Sequence, residues 1–109
     1  MIQAIVHRNA AGQIDSFKVA NHGESYVCAA VSMLVINTIN SIEALTDAQF
    51  VCNTNEEEGQ IDFSLTTPRS EPAGQSAGIL IDAMALGLED VAAEYPNELT
   101  MTQYNKERE

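Results

Sequence analysis

Polar and apolar side chains are distributed along this chain in two alternating rhythms, a strand-like one and a helix-like one. Ile2 to Arg8 and Ile14 to Val19 read as strands, separated by Asn9-Ala10-Ala11-Gly12, a turn of hairpin length. They are expected to pair as antiparallel neighbours. From Tyr26 to Ile42 no side chain is charged, and Val27, Val31, Leu34, Val35 and Ile42 recur at helical spacing, with Ala29, Ala30 and Ile39 covering other sides. Several β-branched residues lower the intrinsic helix propensity, so the assignment leans on length and on Ser25 as the N-cap. Such a helix needs cover on more than one face, from the sheet, a second helix or a partner subunit.

Phe50 to Asn53 reads as a short strand. After a polar connection through Glu56-Glu57-Glu58-Gly59, the segment Gln60 to Thr66 alternates Ile61, Phe63 and Leu65 against Asp62, Ser64 and Thr66. Thr67-Pro68-Arg69-Ser70-Glu71-Pro72-Ala73-Gly74 reads as a linker that stops this strand. A second helix is expected from about Gln75 to Glu94, with Ile79 or Leu80, Met84, Leu88 and Val91 on its apolar side. Leu99 to Tyr104 reads as a final, edge strand. The order ββαββαβ makes an α+β domain in which two helices pack on a largely antiparallel sheet. The chain of 109 residues is expected to form a single domain, with a polar C-terminal tail from about residue 105.

Sixteen acidic residues against five basic ones give a formal net charge of -11, which repels a phosphate backbone and argues against nucleic acid as a direct ligand. A basic protein or peptide would be attracted, although the same acidity also serves solubility alone. The N-terminus lacks the zones of a signal peptide, and no apolar run of spanning length is read from the sequence, so a cytoplasmic protein without a membrane role is expected. The two cysteines are expected as free thiols, and without a Cys/His cluster neither a metal nor a cofactor is called for.

The candidate chemistry lies around Cys28, which follows Ser25 by three positions at the start of the first helix. Helix dipoles there favour a thiolate, and His22, a short loop upstream, can serve as its base. Asn21 or Glu24 could orient the ring. Helix N-terminal amides could receive an oxyanion, assisted by Ser32 one turn after Cys28. Each residue also has a plainer reading: Cys28 as a core thiol, His22 as a polar turn residue, Ser32 as a helix serine bonding locally. Cys52 and His7 read as strand packing, and the three glutamates as a solvated hairpin end.

Val27-Cys28-Ala29-Ala30-Val31-Ser32, preceded by Phe17-Lys18-Val19-Ala20-Asn21-His22, resembles the bacterial ribosomal-processing cysteine proteases, in which a strand ending in Gly-His leads to a Cys-Ala-Ala-Val-Ser helix. The Glu56-Glu57-Glu58-Gly59 hairpin and the second helix extend the likeness over nearly the whole chain. The resemblance implies a cytoplasmic, usually homodimeric thiol protease of ribosome biogenesis that removes the N-terminal extension of ribosomal protein L27. It makes Cys28 the nucleophile and His22 its base, and places Ser32 near the site. Asn21 stands where the family has glycine, Ser25 stands where it has aspartate, and the connection from His22 to Cys28 is shorter than the family pattern. Two other classes of function fit the same residues: a catalytically impaired homologue that binds a ribosomal protein without cleaving it, and a structural homodimer joined through the uncharged helix.

Overall fold

The computed structural model describes residues 1–105. Its elements follow the expected order: β1 (Ile2–Arg8), β2 (Ile14–Ala20), α1 (Ser25–Leu45), β3 (Phe50–Asn55), β4 (Gln60–Leu65), α2 (Pro72–Glu94) and β5 (Leu99–Asn105). The strands form one sheet in the order β3-β4-β2-β1-β5, antiparallel throughout except for the β1–β5 pair, which is parallel. β5 lies at an edge, as its sequence suggested. Asn105, assigned to the tail, closes this strand, and the remainder of the expected tail falls outside the described residues.

One face of the sheet carries the core. Ile2, Ala4 and Val6 of β1, Phe17 and Val19 of β2, Phe63 of β4 and Leu99 of β5 are all buried on it. Pairing puts Val6 opposite Phe17 and Phe17 opposite Phe63, and the two phenyl rings stack with centroids 4.7 Å apart. Ile14 and Phe17 are both buried although three positions separate them, which strict alternation forbids. A bulge resolves the conflict: His7 pairs with Ser16 and Arg8 with Ile14, so Asp15 is the extra residue and Ile14 turns back to the core. His7 itself is a strand side chain, its ring stacked on Tyr104 of β5.

Both helices lie on that face. α1 buries Val27, Val31, Val35, Thr38 and Ile42, and the Thr38 hydroxyl meets its hydrogen-bonding need by donating to the Leu34 carbonyl 2.7 Å away. By length and composition α1 could cross a membrane, contrary to the sequence reading. A core helix of a soluble protein passes the same test, and the buried stripe of α1 belongs to a globular core.

α2 departs from its expected start. The segment read as a linker is helical from Pro72, because proline at the first helical position gives up only an N–H that has no intrahelical partner. Gly74, Ala77, Gly78, Ile81, Met84, Ala85 and Leu88 form its buried side, Leu80 is half-buried, and Ile79 is exposed. The rest of the supposed linker is also structural. Buried Arg69 donates from Nη1 to the Ile14 carbonyl at 2.6 Å and from Nη2 to Asp82 at 3.2 Å. Gly74 and Gly78 let the helix come this close: a Cβ on the first would collide with the Pro68 carbonyl, and one on the second with the Arg69 guanidinium.

Candidate active site

A groove of about 400 Å³ lies between α1 and the β2–β4–β3 part of the sheet. One wall comes from α1, where Cys28, Ser32, Ile36 and Asn40 recur every fourth residue and so lie along one line of the helix. The floor comes from the core face of the sheet through Val19, Cys52, Thr54 and Ile61. Asn21 and His22 line it from the end of β2, and Asn55, Glu56, Gly59 and Gln60 from the β3–β4 hairpin. The apolar floor and polar rim are typical of a small binding cleft.

The structure therefore gathers four of the six residues singled out from sequence, Cys28, His22, Asn21 and Ser32, around one groove. Glu24 and Ser25 stand outside its lining, at the entrance of α1. The cap is also one residue earlier than expected. Glu24 occupies the N-cap without a side-chain cap bond, and Ser25 is the first helical residue, its hydroxyl donating to the Glu24 carboxylate at 3.2 Å. Cys28 is thus the fourth helical residue, and its N–H makes the first intrahelical bond, to the Glu24 carbonyl at 2.8 Å. The N–H groups left without an intrahelical acceptor are those of Ser25, Tyr26 and Val27.

His22 is placed by the hairpin. The N–H of Asn21 donates to the Glu58 carbonyl at 3.2 Å, which stitches the end of β2 to the β3–β4 turn. Next to it, His22 Nε2 lies 3.4 Å from the Glu57 carbonyl. A carbonyl can only accept, so the contact is a hydrogen bond only when Nε2 carries a proton, and in the neutral ring that tautomer has its lone pair on Nδ1. Glu57 and Glu58 thus contribute backbone carbonyls to the site, while the side chains of all three glutamates remain exposed.

Two backbone conformations make this possible. Gly59 has φ +59° and lies against the imidazole; a Cβ there would sit 2.7 Å from His22 Cε1 and 2.9 Å from Nε2. Only glycine meets both demands without strain. Asn21 has φ +74°, the left-handed region where asparagine is the most tolerated substitute for glycine, so it can fill a position where the resembled pattern has glycine. The sequence reading missed Gly59. The available signal was a glycine directly after a polar hairpin tip, which is also the ordinary mark of a turn.

Cys28 and Cys52 are both free and partly buried. Burial and the neighbouring Asp62 carboxylate push the Cys52 thiol above its ordinary value, which suits a packing residue. Among the described residues, no three His, Cys, Asp or Glu side chains converge as metal ligands.

Residues 1–100 match the cysteine protease Prp family. The chain belongs to that family. It is 30% identical over 108 residues to the ribosomal processing cysteine protease Prp of Bacillus subtilis strain 168, covering 94% of this chain and 96% of that protein. Among solved structures, SMU.848 from Streptococcus mutans superposes with a TM-score of 0.84 at 27% identity, over 97% of this chain and 99% of that one. The essential ribosomal processing protease Prp of S. aureus, bound to a covalently linked product peptide, gives a TM-score of 0.86 at 19% identity, over 94% and 99%. At that identity the S. aureus likeness speaks for the fold. Family membership and the B. subtilis relative add the protease class.

Proposed function

We propose that this chain is a cysteine endopeptidase of ribosome biogenesis that removes the N-terminal extension of the ribosomal protein L27 precursor, with Cys28 as nucleophile and His22 as base. The observation that carries the reading is that both side chains line one groove with an apolar floor. In this scheme His22 Nδ1 takes the Cys28 thiol proton, and the thiolate attacks the scissile carbonyl to form a C–S bond. The resulting oxyanion sits over the first turn of α1, where the Ser25, Tyr26 and Val27 amides and the helix dipole favour negative charge. Collapse of the intermediate breaks the C–N bond, and imidazolium returns the proton to the leaving amine. Water, deprotonated by the same imidazole, then releases the thioester as a carboxylic acid and regenerates the thiol.

The family resemblance supplies the L27 substrate, and the net charge of -11 suits a basic ribosomal protein. A cytoplasmic homodimer fits the same assignment, and exposed Met33 on α1 offers an apolar contact for a second copy. Incubation with L27 precursor, followed by mass spectrometry, tests the function. A single new N-terminus is expected with the wild-type chain and none with Cys28→Ala. Binding of the precursor without any product would reject proteolysis in favour of a binding module.

A further inference from the structure

We propose that Glu98 is a positioning residue for the nucleophile, a role that rests on the protease reading above. Glu98 lies in the turn between α2 and β5, 74 positions from the residue it holds. Its main chain is fixed on both sides: its N–H donates to the Tyr95 carbonyl at 2.9 Å and its carbonyl accepts from the Ile2 N–H at 2.9 Å. From that anchored backbone the carboxylate accepts the Glu24 N–H at 2.7 Å, a short charge-assisted bond.

The bond continues directly to the nucleophile, because the carbonyl of Glu24 accepts the N–H of Cys28 at 2.8 Å. Two bonds on either side of the Glu24 Cα, carboxylate to its N–H and its carbonyl to the Cys28 N–H, therefore join the sheet and the end of α2 to the residue that bears the sulfur. Adjacent contacts reinforce it. A Cβ on Gly23 would lie 3.1 Å from both Glu98 Oε1 and Ile2 Cδ1, so the backbone of the connection rests against the carboxylate. The Tyr26 ring meets Tyr95 edge-on with centroids 5.8 Å apart.

The short connection from β2 to α1 is thus held at two points by two different elements. The β3–β4 hairpin holds Asn21 and His22, and Glu98 holds Gly23 and Glu24. The first contact sets the ring and the second sets the helix entrance. Their separation sets the approach of imidazole to thiol, to which general-base catalysis is acutely sensitive.

The test compares Glu98→Ala with Glu98→Gln, which loses the charge but keeps an acceptor oxygen. With a precursor-derived peptide as substrate, Glu98→Ala is expected to lower kcat about tenfold with KM within about twofold, and Glu98→Gln to restore kcat to within about twofold of wild type. Amide exchange at Glu24 is expected to accelerate in Glu98→Ala and to remain slow in Glu98→Gln. If Glu98→Ala does not fold, Glu98→Asp withdraws the carboxylate by one methylene and gives the same comparison. Unchanged kcat or unchanged Glu24 exchange in the truncated variant would overturn the assignment, as would a glutamine variant no better than alanine. A wild-type chain that cleaves nothing defeats the protease reading, while Glu24 exchange still reports whether Glu98 holds the entrance.

Discussion

At the Arg69 corner α2 lies so close to the preceding chain that Gly74 and Gly78 have no room for a side chain, whereas at the Cys28 corner α1 stands off from β3 and β4 and leaves a groove between helix and sheet. Both corners join a helix to the same face of one sheet. The closed one uses small helix residues and a buried guanidinium to tie α2 to the first residue of β2. The open one leaves Cys28, Ser32 and Ile36 facing Cys52, Thr54 and Ile61 across a gap, and holds its edges through backbone contacts instead. The contrast separates what stabilises this fold from what equips it to act, so substitutions at the two corners should have different signatures.

The largest effect is expected at the open corner. Cys28→Ala and His22→Ala should each lower the rate of peptide cleavage by at least about 10³-fold, while denaturant unfolding shifts by less than about 1 kcal/mol. A parallel loss of stability would mean that the thiol and ring serve packing, and the two corners would no longer be distinct in kind.

Gly59→Ala sharpens the comparison, because it disturbs the active corner through the backbone alone. The left-handed φ should cost about 1–2 kcal/mol, and displacement of the His22 ring should lower kcat by about 10- to 100-fold. Wild-type turnover in this variant, measured on folded protein, would show that the hairpin does not place the imidazole.

The closed corner should behave in the opposite way. Arg69→Ala is expected to destabilise by about 2–4 kcal/mol, since it strips the Ile14 carbonyl of its buried donor and leaves a void beneath α2. The rate per folded molecule should stay at the wild-type level. Asp82→Asn should cost less than about 1 kcal/mol, because the aspartate side chain is 52% exposed and its ion pair is well solvated. Chemical denaturation followed by an activity assay on the folded fraction checks both.

How much of this was legible beforehand differs between the corners. The strands were readable because one buried face imposes strict alternation, as in Ile61, Phe63 and Leu65. That Cys28 and His22 would lie near one another was readable because a residue at a helix start and one in the loop just before it are local in sequence. Arg69 was not, since Pro68, Ser70 and Pro72 around it have the composition of a loop, and nothing local says that a cation will be buried. Glu98 and Gly59 were missed for a related reason. Their roles arise from contacts with Glu24 and His22 that only the folded sheet creates. The helix cap fell on Glu24 rather than Ser25 because Glu98, remote in sequence, supplies an acceptor for the N–H at that point.

The smallest effect concerns Cys52 on the floor of the groove. Its thiol is raised by burial and by Asp62, so folding favours the neutral form. The contribution to stability is complete below the ordinary thiol range and is lost as pH rises through the higher folded value. Unfolding measured across that alkaline range should therefore show a shallow downward slope that Cys52→Ala removes. An unchanged slope in the variant would assign it to other groups.

The most direct test of the central claim compares alkylation of the two thiols that share the groove. With limiting iodoacetamide near neutral pH, peptide mapping should find Cys28 modified much faster than Cys52, and His22→Ala should remove that advantage. Equal rates in the wild-type chain, or a Cys28 rate indifferent to His22, would contradict an imidazole-activated nucleophile at the mouth of α1.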